Sequence, residues 1–293
     1  MAAAIGVHAK MGIGTTSTVD QPLDFHSENL AVAEEFHDSN GLRGTRSRAV
    51  ERVRRNIRRI GGSINFQPNP QEMAYLLPWI LGANASGTTY ALAETVQARY
   101  VTIDRVTKVL TYDNCKVNRA TFRASQGGPL EVGLDVLGVD ETVANAGTFP
   151  AINLDVATGG PFMFTELVLV IGGVTYQARE FEVSVDNMVQ ADRFFNSETL
   201  STAAQAQDRM ITLRTSLPYG DAVAAYGSGP GGVAVTATFT NGAMSFLMTF
   251  VKVTFPRHSA TVPGRTEIML PMMGVAYKSA TTEPLVCTLD HSP

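Results

Sequence analysis

Carboxylates recur in pairs along runs that alternate apolar and polar residues: Glu131 with Asp135, and Glu180 with Glu182, followed by Asp186. Two carboxyl groups facing each other across a cleft are the machinery of glycoside hydrolysis, one as acid and the other as base or nucleophile. Sugar-processing sites of that kind also present aromatic platforms. This chain has one tryptophan, Trp79, inside a segment that reads as an apolar helix. Acid alternating with aliphatic is equally the wet face of a β-sheet, and that reading is preferred. The five histidines (His8, His26, His37, His258, His291) lie at no metal-ligand spacing relative to one another or to Cys115 and Cys287, so no metal is expected. Gly-x-Ser-x-Gly is absent, and Gly12-Ile-Gly14 lacks the third glycine and preceding strand of a dinucleotide loop. No cofactor and no catalysis are expected.

The second chemically loaded segment is basic. Between residues 41 and 60 lie Arg43, Arg46, Arg48, Arg52, Arg54, Arg55, Arg58 and Arg59 against one acid, Glu51. Of the chain's 23 basic and 27 acidic residues this leaves 15 and 26 for the remainder, so a basic segment is joined to an acidic body. Such a segment can bind phosphates, form a solvated helix face, or act as an interface arm whose guanidinium forks meet carboxylates. The acidic body favours the arm, because copies of the same chain supply the partner surface. A nucleic-acid binder so built would repel much of what its arm attracts.

These residues need elements to position them. Leu130 to Val136, Phe181 to Val185 and Val233 to Phe239 alternate apolar with polar, the period of strands with one buried face. Turn signals separate the runs at Asp113-Asn114, Gln126 to Pro129, Gly159 to Pro161, Gly172-Gly173, Gly227 to Gly232 and Asn241-Gly242, the last a hairpin signal. One helix is signposted. Asn69 caps it, Pro70 suits its first position, Glu72 completes a capping box, and Met73, Leu76, Leu77 and Ile80 form an apolar stripe before Gly82. Pro78 predicts a kink or an end near Leu77. Val53 to Ile60 fits either a helix or an extended ribbon. The expected fold is mainly β, an antiparallel sandwich or barrel with one short flanking helix.

The 44% apolar content of 293 residues supports a sizeable core. The longest apolar stretch, Phe162 to Tyr176, is interrupted by Glu166 and too short for a membrane helix, and the N-terminus lacks the pattern of a secretory signal. The chain is therefore expected to be made in the cytosol, with its cysteines reduced and no membrane partner. Residues 1–40 read as an N-terminal arm, 41–62 as an arginine-rich loop or ribbon between subunits, and 63–293 as the β-sandwich domain with a helix near 70–82. Val109-Leu-Thr-Tyr112 and Val174-Thr-Tyr176 echo each other ahead of alternating strands, a faint sign of duplication.

Several motifs in order resemble the tail tube (major tail) proteins of long-tailed bacteriophages. They are Gly44-Thr-Arg-Ser47, Glu51-Arg-Val-Arg54, Gly62-Ser-Ile64, Pro68-Asn-Pro-Gln-Glu72 and Leu77-Pro-Trp-Ile-Leu-Gly82. Later come Cys115-Lys-Val-Asn-Arg-Ala-Thr-Phe122, Gly127-Gly-Pro-Leu130, Asp186-Asn187, Asp192-Arg-Phe194 with Asn196-Ser197, and Phe239-Thr-Asn-Gly242. The resemblance covers about residues 41–289 and leaves out the first 40. It implies a structural subunit of the virion tail, assembled in the host bacterial cytoplasm. It also implies homo-hexameric rings stacked into a hollow tube that houses the tape-measure protein, meets other tail proteins and conducts DNA during ejection. A trimer becomes possible if the echo marks a duplication. A conduit must not hold its cargo, so Glu131, Asp135, Glu180, Glu182 and Asp186 are the candidates for the lumen face. The arginines from Arg43 to Arg59 are the candidates for ring stacking. The alternatives are a polysaccharide-binding or -cleaving sandwich and a nucleic-acid-binding protein.

Overall fold

The computed structural model describes residues 5–38, 45, 47, 48, 50–154, 159–200, 208–222 and 231–292. Over these, the chain forms β1 (Lys10–Gly14), β2 (Gln21–Pro22), β3 (Phe25–Glu28), β4 (Ala31–Asp38), β5 (Val53–Phe66) and helix α1 (Pro70–Leu81). Next come β6 (Thr89–Ala91), β7 (Arg99–Asp104), β8 (Lys108–Ser125), β9 (Glu131–Gly138), β10 (Asp140–Asn145), β11 (Val168–Ile171), β12 (Val174–Tyr176) and β13 (Glu180–Asp186). The last elements are β14 (Met210–Pro218), a single turn α2 (Tyr219–Ala222), β15 (Val233–Asn241), β16 (Met244–Thr254), β17 (Met269–Tyr277) and β18 (Leu285–Asp290).

Two antiparallel layers follow from the pairing. One runs β4/β3–β5–β9–β8–β13–β14–β17, and the other β12–β11–β15–β16–β18–β6. β16 joins them by pairing Lys252 to Thr254 with Val275 to Tyr277 of β17. The strict alternation of Leu130 to Val136 and Phe181 to Val185 buries one face of the first layer. That face meets Phe239 and Phe246 of the second, with Phe122, Phe162 and Phe181 completing an aromatic cluster at 5.9–6.5 Å between centroids. The Asn241-Gly242 signal joins β15 to β16 as expected. Gly172 and Gly173 both take positive φ, 60° and 85°, in the two-residue turn between β11 and β12, which side chains would strain.

β8 does not end at Asp113-Asn114, where a turn was expected. Asn114 takes a left-handed φ of 50°, and the strand bends and continues. Its first half pairs with β7 and β10 in a small side sheet, its second half with β9 and β13 in the main layer. An Asn in a left-handed conformation is a bulge device as well as a turn device.

α1 has the expected capping box: the Asn69 side chain accepts from the backbone N–H groups of Gln71 and Glu72, and Glu72 accepts from Asn69 N–H at 3.0 Å. It does not stop near Leu77. It runs through Pro78 to Leu81 and ends on left-handed Gly82. A proline inside a helix costs about 3 kcal/mol. Trp79, Ile80 and Leu81 beyond it are all fully buried, each worth roughly 1.5–3 kcal/mol, and Trp79 Nε1 donates to the Cys115 carbonyl at 2.9 Å. Packing outweighs the local penalty.

The first forty residues are not a detached arm over their described part. β1 is buried from Met11 to Gly14 and pairs with β7 and β2, while β3 and β4 form a broken edge beside β5. At that break Asn29 Oδ1 accepts from Ser63 N–H, and a Cβ on Gly62 would lie 2.6 Å from the Asn29 carbonyl. Only glycine lets the edge fold in so closely.

Candidate channel-lining face

The outer face of the main layer carries every carboxylate singled out above, and the pairing register shows what faces them. On β9, Glu131 lies opposite Arg123 and Asp135 opposite Arg119 of β8. Across β8, Arg123 lies opposite Glu182 and Arg119 opposite Asp186 of β13; Glu182 in turn faces Arg214 of β14. Glu180 is flanked by Ser125 and Ser216. The rows Glu131–Arg123–Glu182–Arg214 and Asp135–Arg119–Asp186 therefore alternate in sign from strand to strand. Five carboxylates stand against three guanidinium groups. The face is a charge grid with a modest acidic excess.

The pairs differ in strength. Arg119 Nη2 lies 2.6 Å from Asp186 Oδ2 and its Nε donates to the same oxygen at 3.1 Å, while Arg214 and Glu182 approach to 3.9 Å. The hydrogen bond and charge of Asp186 hold the Arg119 guanidinium charged, with Asp135 adding to the effect. Asp186 is 5% exposed, covered by its own arginine, and also accepts from Met188 N–H at 3.1 Å. Of the five carboxylates it is the one shielded from solvent. Shallow hollows lie on this face, one between Arg123, Glu182, Arg214 and His258, another between His26, Asn65, Glu131 and Asp135.

Beneath Asp186 sits Asn187, 1% exposed. Its Nδ2 donates to the carbonyls of Ile80 at 3.1 Å and Val117 at 3.0 Å, and its Oδ1 accepts from Arg209 Nε at 2.8 Å. Arg209 Nη2 donates in turn to the Ala93 carbonyl. This node ties α1 to β8 and β13 behind the charged face.

Val50 to Arg52 form a single 3-10 turn, and Val53 to Ile60 are extended ribbon, not helix. Val53 to Ile60 opens β5 and pairs with β4, whose acids Glu34, Glu35 and Asp38 come alongside. Arg55 lies 3.7 Å from Glu34 and 4.0 Å from Glu198, Arg59 3.6 Å from Glu35, Arg58 3.1 Å from Asp140, and Arg48 3.6 Å from Asp38. Arg52 and Arg54 make no ion pair among the described residues. Arg43 and Arg46 lie outside them. Much of the basic charge is thus met within the chain, which weakens the nucleic-acid reading. The polysaccharide reading weakens too, since the carboxylates face arginines and Trp79 is buried.

Cys115 and Cys287 are free and fully buried, and burial pushes both thiols up. Among the described residues no group of three or more His, Cys, Asp or Glu side chains is placed to hold a metal ion.

A two-layer β-sandwich that turns a broad, shallow, charged sheet face to solvent is a structural building block suited to extended contacts. The chain matches the model of the phage tail tube protein family over residues 4–276 and belongs to that family, a non-enzymatic structural component of the virion tail. The match takes in nearly all of the first forty residues, which the sequence motifs had left out, consistent with the strands they form. No curated protein matches the chain.

Proposed function

We propose that six copies of this chain close into a ring with the charged grid facing inward, and that rings stack in the host cytoplasm into a tube that houses the tape-measure protein and conducts DNA. The observation that carries this is the grid itself: a continuous solvent-facing sheet face whose end strands have open edges. Among the described residues β4 pairs only with β5, and Met269 to Gly274 of β17 only with β14. Open edges invite pairing with a neighbouring copy and would otherwise be an aggregation hazard.

Six copies is the ring number that the resemblance implies; of the two echoed segments on which a trimer would rest, Val109 to Tyr112 lies near the start of β8 and Val174 to Tyr176 forms β12. Electron microscopy of the purified chain, with symmetry determined from end views, tests the proposal. Six-fold rings or tubes are expected. Monodisperse single chains, or a bore lined by another face, would overturn it.

A further inference from the structure

β16 and β17 follow one another in the chain, yet they pair only where Lys252 to Thr254 meet Val275 to Tyr277. Between them lies a segment without regular structure, residues 255–268. Most hairpins close in about two to five residues, and a bare loop of this length inside a domain is usually functional. The stretch of β17 from Val275 back to Met269 measures about 20 Å at ~3.3 Å per residue, whereas residues 255–268 fully extended would reach about 46 Å. The loop has about twice the chain it needs.

The segment follows the free edge of β17. Phe255 is buried beside Gly274, where a Cβ would lie 2.7 Å from its ring. His258 lines one hollow with Pro271 and Met273 of β17, which Arg214, Glu182 and Arg123 continue across β14, β13 and β8. At the far end the Ile268 carbonyl accepts from Tyr219 N–H at 2.9 Å. Between these anchors Ala260 packs against the core, and the other residues of 256–267 are exposed. Residues 256–267 make no hydrogen bond or ion pair among the described residues. Continuing the β16 register would set Pro256 opposite Met273 and His258 opposite Pro271. Neither proline has an N–H to give, so the ladder from β16 stops short of this edge.

We propose that residues 256–267 are an edge guard: in the single chain they lie along β17 and bar other strands, and a neighbouring copy displaces them as its own edge strand joins Met269 to Gly274. The proposal rests on the tube reading above and adds control of its lateral step. An unpaired sheet edge is a template for unwanted pairing, and a covering loop removes the hazard. A cover fixed by hydrogen bonds would resist removal, whereas this one gives up only the contact of Ala260. Its spare length lets it swing aside while Phe255 and Ile268 stay in place. The apparent affinity of one copy for the next is then scaled by the fraction of chains whose guard is lifted.

The test uses the full chain, with assembly followed by light scattering and its products by sedimentation and negative-stain microscopy. H258C/M273C, oxidised with diamide, ties the guard to β17; Cys115 and Cys287 are fully buried and take no part. The oxidised form is expected to stay single, assembling at least about tenfold more slowly than its own reduced form, and reductant to restore it. A260D, which loosens the guard without touching the edge, is expected to shorten the lag about threefold. Equal assembly of the oxidised and reduced forms, two new thiols that do not join, or an unchanged lag in A260D would each overturn the proposal. A wild-type chain that makes no rings or tubes at any concentration would instead sink the tube reading on which it rests.

Discussion

Asn187→Ala removes one amide that holds three partners in the dry layer behind the charged face. Two donated bonds, to Ile80 O and Val117 O, and one accepted from Arg209 Nε are lost. Each such bond is worth about 1 kcal/mol net, and a stranded buried group adds to the penalty, so the expected loss is about 3 kcal/mol. For a chain of this size that lowers the melting temperature by roughly 5 °C. Asn187→Asp is nearly isosteric but turns the donor end into an acceptor facing two carbonyls, and is expected to be at least as damaging. The control is Asn65→Ala, whose exposed amide donates only to Ser27 Oγ, with an expected change of less than about 0.5 kcal/mol. Thermal melts followed by circular dichroism on all three variants decide the matter. An Asn187→Ala protein melting within 2 °C of the Asn65→Ala control would refute the claim that this node fastens α1 to the main layer.

Two further outcomes concern charge. Burial raises the Glu72 carboxyl to about 7, against the lowering effect of the N–H groups of Asp24 and Asn69, so the folded state holds a proton that the unfolded chain has released. The stabilisation is complete below about pH 4.5 and is lost as pH rises through about 7; melts between pH 5 and 8 should show a falling slope that Glu72→Gln removes. On the sheet face, E131K/D135N turns an excess of two carboxylates per copy into an excess of one cation. Variant tubes are expected to retain duplex DNA with steep salt dependence, losing about 10³-fold in affinity between 50 and 200 mM salt, as for about six phosphate contacts per ring. Wild-type tubes that bind DNA equally well would count against an inward-facing grid.

What could be read from the residues was local. The box Asn69-Pro70-Gln71-Glu72 and the alternation of Leu130 to Val136 sit within a few residues of one another, and both take the form their chemistry dictates. Pro78 and Asn114 misled because each is a breaker by local propensity. Burial of Trp79 to Leu81 overrode the first, and the second bends β8 without ending it. Arg119, Arg123 and Arg214 went unnoticed as site residues because their meaning lies in register: Arg123 stands beside Glu131 and Glu182 only once β9, β8 and β13 are aligned. The same holds for Glu34 and Glu35, which offset Arg55 and Arg59 more than 20 residues downstream, and for Asp38, which meets Arg48. The signal available was the spacing of Arg119 and Arg123, four residues apart and so on one face of an alternating strand.

The alternation of sign across the grid bears on how a polyanion would slide. Rows that reverse polarity every ~4.8 Å have a spatial period of ~9.6 Å, and the ripple from such a pattern fades within ~1.5 Å of the surface. A phosphate only a few ångströms off the wall in the proposed channel would therefore travel over an almost featureless zwitterionic lining, with no sticky wells to arrest it and only the slight surplus of carboxylates pressing it toward the axis.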